Sequence, residues 1–289
     1  MPWYYLALIS ACFIALFDII GKKILVREHS FDLLATSFLF MAIMVLPMIF
    51  YQDVSLPKTS TLLFIFIKSV LTVTYIIFTT RSLRHMEVSE YDPLMNMSSV
   101  FLFFMSIFFL GERFSLLNII GLFLIISGAY VVELKDGLLS PLRNMYKNKY
   151  MHFLVLSFIF ASLSAIMDRF ILLGDVSVDV MLFYNRLFSA GLLFIVISFL
   201  FNGLSDIIKV TKRSFIPVLV FSALYIAADY AYFMAVKIPE AKIALIIPIK
   251  RMSTLLVTVA GGELFKEKGI FKKSIACLVM ILGAYFIII

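Results

Sequence analysis

Two adjacent cations lie near the middle of a long apolar segment of this sequence. Lys250 and Arg251 follow Pro248 in the stretch Ile-Ile-Pro-Ile-Lys-Arg. Proline removes a backbone donor, so Pro248 predicts a helix break just before the pair. Charges this deep in an apolar segment are costly in a membrane, and they generally face a partner or a polar cavity. Because ammonium and guanidinium groups bind carboxylate and phosphate oxygens strongly, the pair predicts a site for an anionic group.

Two more ionisable residues lie inside neighbouring apolar segments. Asp229 follows an alanine pair, and Arg186 lies in Tyr-Asn-Arg. Asp229 is predicted either to pair with Lys250 or Arg251, or to carry a proton; the sequence leaves both roles open. Arg186 either joins the same site or extends its side chain to the membrane interface. The set holds three cations and one carboxylate, and this surplus of positive charge again favours an anionic ligand.

Neutral polar residues are weaker candidates for the same site. The stretch Pro-Leu-Met-Asn-Met-Ser-Ser at residues 93–99 also starts with a proline but carries no cation. Asn96 and Ser99 are therefore predicted as neutral hydrogen-bonding contributors. Four tyrosines are predicted to line a pocket, although tyrosines also pack in helix bundles: Tyr184, Tyr225, Tyr230 and Tyr232. Tyr230, beside Asp229, is included in the predicted site.

Several charged residues near segment ends are predicted to be structural. Lys68 is expected to extend its ammonium to the interface. Asp168 is expected either to pair locally with Arg169 or to anchor its helix end. Glu112 and Glu267 are placed at helix starts, where the helix dipole stabilises a carboxylate.

The composition assigns the chain to the bilayer. Hydrophobic residues make up 63% and charged residues only 15% of the 289 residues, far from soluble proportions. A membrane-spanning helix needs about 17–25 apolar residues, and backbone groups in lipid must bond within their own segment. The sequence therefore predicts an all-α integral membrane protein with ten transmembrane helices, at residues 3–20, 32–51, 61–80, 90–110, 116–133, 151–171, 179–201, 215–236, 240–261 and 271–289.

The net charge of +7 does not indicate nucleic acid, because the basic residues concentrate in alternate joints between the segments. Odd-numbered joints hold sixteen of the 25 Lys and Arg, and even-numbered joints hold four. The positive-inside rule then places both termini outside. Cys12 and Cys277 lie apart from any metal-ligand spacing, and no catalytic motif is present, so neither a cofactor nor a metal is expected.

An internal repeat divides the chain. The same spacing separates Glu112 from Glu267 and Gly128-Ala129-Tyr130 from Gly283-Ala284-Tyr285. The predicted halves are residues 1–140 and 141–289, with five helices each. Because five is odd, the second half is inverted in the membrane, an arrangement from which many secondary transporters are built.

One motif runs from Phe109-Leu110-Gly111-Glu112 to Gly128-Ala129-Tyr130, and a counterpart surrounds Glu267. This pattern resembles the EamA-like family of the drug/metabolite transporter superfamily. The resemblance covers the whole chain. It implies two EamA-like five-helix repeats and a transporter of amino acids, other metabolites, sugar-linked nucleotides or drugs. It also implies cytoplasmic termini, so charge and resemblance disagree on orientation, which stays open.

The leading hypothesis is a secondary transporter, not an enzyme, that moves a small organic metabolite with an anionic group by alternating access. A broad-specificity efflux pump for amphiphilic or cationic drugs is the alternative. The expected partners are the lipid bilayer of the cell membrane, the small-molecule substrate, and a proton or counter-substrate, with the chain acting as a monomer or homodimer. Substrate identity and transport direction are not specified by the residues.

Overall fold

The computed structural model describes residues 1–25, 28–51, 57–86, 94–133, 150–200, 204–257 and 270–289. All regular secondary structure in these ranges is helical. The boundary predicted between the two halves, at residues 140 and 141, lies outside the described residues. So do Glu267 and Pro93.

Eleven helices are labelled here in chain order. They are α1 (Trp3–Leu25), α2 (Ser30–Val45), α3 (Met48–Tyr51), α4 (Thr59–His85), α5 (Ser98–Leu110), α6 (Leu116–Glu133), α7 (Met151–Leu172), α8 (Val178–Leu200), α9 (Leu204–Lys237), α10 (Ile243–Arg251) and α11 (Ile270–Ile288).

Within the described ranges, six apolar helices are long enough to cross a membrane: α1, the segment Ser30–Phe50 that includes α2, and α4, α7, α8 and α9. Three shorter apolar helices lie at Ser98–Leu110, Leu116–Val131 and Ile275–Ile288. Burial of a continuous apolar surface in lipid explains why these segments are helical, since only helices satisfy their own backbone there. The all-α membrane fold is thus confirmed.

Two helices differ from their predicted bounds. Helix α9 begins at Leu204 rather than near residue 215, and it bends at Ser214, whose φ of −134° and ψ of 31° are not helical. Pro217 lies three residues later and removes a helical hydrogen bond, which accounts for the bend. The other difference concerns Pro248, where the break prediction was wrong. Helix α10 continues through Pro248 and ends at Arg251, with a turn at Met252.

Small residues allow α6 and α11 to pack closely. A Cβ atom built on Gly121 would lie 2.5 Å from the Gly283 carbonyl oxygen, and one on Gly128 would lie 2.8 Å from the Ala276 carbonyl oxygen. These distances leave no room for a side chain, so the helix backbones touch directly. Such contact is typical of packing in membranes, where apolar burial alone does not hold helices together.

The turn that joins α9 to α10 is held from two sides. Glu112 accepts hydrogen bonds from the backbone N–H groups of Ile243 (2.7 Å) and Ala244 (3.5 Å), so it caps the start of α10. Arg169 donates to the carbonyl groups of Val236, Ile238 (2.7 Å) and Pro239 (2.8 Å) at the end of α9. These contacts fix the helix that carries Lys250. Glu112 thus caps α10 rather than its own helix. Arg169 does not form the local ion pair with Asp168 that was one of the two predicted roles of that aspartate.

Gly121→Ala should lower the thermal stability of the detergent-purified protein by about 1–3 kcal/mol, because its methyl group would meet a backbone atom that has little freedom to move. Gly191→Ala is the matched control: Gly191 is an exposed position of α8 with no neighbouring atom within 4 Å of a built Cβ. The control should be neutral or stabilising by up to about 1 kcal/mol. Equal melting temperatures for the two variants would contradict the close packing.

Glu112→Ala should cost about 1 kcal/mol in the same assay, because it leaves the first N–H groups of α10 without an acceptor. Glu112→Gln keeps an acceptor oxygen and should lose less. Glu240→Ala, which removes an exposed carboxylate from the adjoining turn, should change little. A Glu240→Ala effect as large as that of Glu112→Ala would show that general charge loss, not capping, is responsible.

Candidate functional site

Asp229 is the centre of a buried charge cluster. Its Oδ1 lies 3.4 Å from Nζ of Lys250 on α10, and its Oδ2 pairs with the guanidinium of Arg186 on α8. Helices α8, α9 and α10 therefore each supply one charged side chain. A carboxylate between two cations satisfies the requirement that charges in a bundle interior be paired.

Aromatic rings line the cations of this cluster. Nζ of Lys250 lies 4.3 Å from the ring centre of Tyr232, and Cζ of Arg186 lies 4.9 Å from Tyr225 and 5.6 Å from Phe38. Cation–π attraction at these distances adds to the ionic contacts. Tyr225 and Tyr232 lie four residues before and three residues after Asp229, on the same helical face.

A second buried ion pair joins α4 to α7. Nζ of Lys68 lies 3.2 Å from Oδ1 of Asp168, and both side chains are about as inaccessible as Arg186 (5% and 6% exposed). The Tyr232 hydroxyl donates to the other oxygen, Oδ2, at 3.2 Å. The sequence predicts structural roles for both residues, an interfacial position for the Lys68 ammonium and a local ion pair or helix-end anchor for Asp168. Opposite charges inside two predicted spans were the available signal, but only the packing of α4 on α7 shows that they meet.

Tyr232 connects the two ion pairs. Its ring lies beneath Lys250, and its hydroxyl contacts Asp168. The connected groups comprise the cations Lys68, Arg186 and Lys250 and the carboxylates Asp168 and Asp229. The cluster thus carries one positive charge more than its carboxylates neutralise.

Arg251 takes a different direction from Lys250. Its Nη2 donates to Oγ of Ser98 at the start of α5, at 3.3 Å. Adjacent residues lie about 100° apart around a helix, so one of the two neighbours faces Asp229 and the other faces α5. Of the two candidate partners for Asp229, the structure places Lys250 there.

Asn96 and Ser99 lie next to this contact. Both are buried, at 2% and 1% exposure, and the Ser99 backbone N–H donates to the Asn96 carbonyl at 3.2 Å. They therefore belong to the α5 side of the site, near Arg251. Tyr230 lies elsewhere: its hydroxyl faces Asp179 at the start of α8. The helical rotation between positions 229 and 230 turns it away from the charge cluster, so Tyr230 is not among the groups that surround Asp229.

A polar seam on α4 extends the cluster. Ser69 donates to Oδ1 of Asn185 at 3.1 Å, and the Thr72 hydroxyl shares a hydrogen bond of 2.9 Å with Ser164. Asn185 directly precedes Arg186 in α8. These small hydroxyl groups gave no distinctive sequence signal, because serine and threonine also bond to their own helix backbone.

Asp229→Asn should destabilise the protein by about 3–5 kcal/mol, because Arg186 and Lys250 would remain buried without a counter-ion. Asp206→Asn is the control, since Asp206 pairs with Lys209, whose side chain is 58% exposed; it should cost less than about 1 kcal/mol. Thermal unfolding in detergent measures both. An Asp229→Asn melting temperature equal to that of Asp206→Asn would contradict the buried pairing.

The fold is similar to known structures. One solved protein, described only as "Crystal structure of protein", superposes with a TM-score of 0.72 over 98% of this chain and 94% of its own. The two chains are 14% identical in sequence, so the similarity concerns the fold alone. No curated protein is significantly similar in sequence to this chain.

The first part of the chain matches a sequence family. Residues 1–134 match the EamA-like transporter family, which belongs to the drug/metabolite transporter superfamily. Together with the six helices that are long and apolar enough to cross a membrane, this match supports a multi-pass membrane transporter rather than an enzyme. As the motif around Glu112 and Gly128 predicts, residues 1–134 of this protein match the EamA-like transporter family.

Proposed function

We propose that the protein is a secondary active transporter that moves a small organic solute with an anionic group, such as an amino acid, by alternating access across the cell membrane. The observation that carries the proposal is the buried cluster around Asp229, in which three cations accompany two carboxylates. A surplus positive charge inside a bundle is costly. An anionic group on the solute would neutralise it.

Alternating access is proposed to arise from ten spans in two inverted halves, residues 1–140 and 141–289. The helix packing supports this arrangement. If α1, α2, α4, α5 and α6 correspond in order to α7, α8, α9, α10 and α11, the contact of α1 with α9 has its counterpart in that of α7 with α4. The contacts of α2 with α9 and of α1 with α10 likewise correspond to those of α8 with α4 and of α7 with α5.

The glycine contacts support the same correspondence. Gly128 and Gly283 occupy equivalent motif positions, and the same spacing relates Gly121 to Ala276. The close approach of Gly121 to Gly283 is thus matched by that of Ala276 to Gly128. A two-fold relation between the halves accounts for both contacts, as expected of an inverted-repeat transporter.

The proposed binding site departs from this symmetry. Lys68 lies on α4, whereas the aligned position on α9 is Phe221, which stacks on Phe17 with ring centres 3.9 Å apart. The charged site therefore has no equivalent at the aligned position of the other half. Most of it comes from the second half, with Lys68 added from the first.

Within the cluster, Lys250 is the cation best placed to contact a solute. Its side chain is 17% exposed, compared with 1% for Arg186. The solute's carboxylate or phosphate would replace Asp229 as a partner of Lys250 while Arg186 continues to hold Asp229. Arg251, Ser98, Asn96 and Ser99 would contact the solute from the α5 side.

Export of cationic drugs is the less favoured alternative. A cation would have to pair with Asp229, but both Asp229 oxygens already contact cations. Displacing Arg186 or Lys250 would leave a buried positive charge beside a positively charged ligand. Electrostatics therefore favours an anionic or zwitterionic solute. A proton or counter-substrate would supply the driving force.

Ligand-dependent thermal stabilisation tests the proposal. Purified protein should be stabilised by one class within a panel of amino acids, monocarboxylates and phosphorylated metabolites, by about 2.7 kcal/mol at 100 times the Kd. Lys250→Ala and Arg251→Ala should lose both the stabilisation and the flux in reconstituted vesicles while staying folded. Lys209→Ala, which removes an exposed cation, should keep both.

Two outcomes would overturn the proposal. Stabilisation by lipophilic cations alone, unchanged in Lys250→Ala and Arg251→Ala, would favour drug efflux instead. Flux at the wild-type rate in both variants would show that the binding site does not lie on α10.

A further inference from the structure

Asp168 and Asp229 are the carboxylates of the buried cluster, and they have unequal surroundings. Asp229 contacts two cations, one on each oxygen. Asp168 contacts one, Lys68, at 3.2 Å, and its Oδ1 lacks a hydrogen bond of good geometry in the described part of the chain. A buried carboxylate with less compensation is the one that neutralises more readily by taking up a proton.

We propose that Asp168 is a proton-binding site, so that a proton is the ion that moves with the anionic solute. This inference rests on the proposed function, to which it adds the coupling ion. The proton would bond to a carboxylate oxygen of Asp168, leaving Lys68 as an uncompensated cation. That extra positive charge would favour the entry of an anion into the same cluster, so proton and solute would bind together.

The ionisable groups that face Asp168 are consistent with proton binding at its carboxylate. Lys68 approaches from α4, Tyr232 and Asp229 from α9, and Lys250 from α10. Helix α5, which also packs on α7, carries no ionisable residue between Ser98 and Leu110. On α8, Arg186 pairs with Asp229 instead. Lys68 is thus the direct ionic partner that a proton would have to compete with.

Tyr232 provides the connection between the two sites. Its hydroxyl donates to Asp168 Oδ2, while its ring lies 4.3 Å from the Lys250 ammonium. Movement of Lys250 toward a bound solute would change the position of this ring. The hydroxyl contact on Asp168 would respond. Tyr232 is therefore inferred to be a positioning residue that transmits solute binding to the proton site.

Infrared difference spectroscopy of the reconstituted protein tests the proton site without any solute. Acidification of the wild type should produce the C=O stretching band of a buried carboxylic acid. Asp168→Asn should lose that band, whereas Asp229→Asn should keep it. Tyr232→Phe, which is nearly isosteric, should keep the band at a shifted frequency because one hydrogen bond to the carboxyl group is missing.

These spectra have outcomes that overturn the inference. The absence of an acid-induced band in the wild type would exclude proton binding at Asp168. A band that survives in Asp168→Asn and disappears in Asp229→Asn would assign the proton to Asp229 instead. If Asp168→Asn does not fold, an unshifted band in Tyr232→Phe would exclude Asp168 as its source, because the Tyr232 hydroxyl contacts Asp168.

Coupling is measured in vesicles that contain a trapped pH-sensitive dye. Adding pooled L-amino acids, monocarboxylates or phosphorylated metabolites should move protons with one pool in the wild type. Asp168→Asn should lose the proton movement that accompanies that pool, whereas Lys209→Ala, which removes an exposed cation outside the cluster, should retain it. Wild-type counterflow without proton movement would overturn the coupling inference alone. Absence of counterflow with every pool would instead reject the proposed function.

Discussion

The pairing of buried charges is the constraint on which the interior of this protein depends. An ion in an apolar helix bundle is stable only with a counter-charge in contact, since the surroundings screen its field weakly. Asp229 meets this requirement for Arg186 and Lys250 at once. It thereby links α8, α9 and α10. Loss of this one carboxylate would leave two cations without a partner. The three helices must therefore be placed so that Arg186 and Lys250 both reach Asp229.

The rest of the bundle holds these charges in register. Glu112 caps the start of α10 and Arg169 engages the end of α9, so the turn between the two helices is fixed from both sides. The glycine contacts between α6 and α11 bring the backbones of these two helices together. These contacts fix the surrounding helices. The charge cluster, which has an excess positive charge, is therefore the part of the interior that a charged ligand would stabilise most.

The charge cluster has the features that the proposed transport of an anionic solute would require. It has surplus positive charge, an accessible lysine beside a protected arginine, and aromatic surfaces that stabilise the cations when no solute is present. Incomplete neutralisation of the positive charge suits transport, because a solute must be able both to bind the cluster and to leave it. Lys68 forms a buried ion pair on α4, whereas Phe221 forms an aromatic stack on α9.

The sequence by itself determined the helical membrane class, the family motif and the residues Arg186, Asp229 and Lys250, because hydropathy and charge in apolar segments are properties of local composition. It did not determine which charges meet. Lys68 was expected at the membrane interface and Asp168 in a local ion pair or as a helix-end anchor, yet the two pair with each other. Four tyrosines were predicted to line a pocket, and of these Tyr225 and Tyr232 contact the cations of the cluster. Pro248 was expected to break a helix that continues to Arg251. Only the tertiary structure decided these points, because the direction of a side chain depends on helix rotation and on which helices pack together, and neither is encoded in spacing along a single segment.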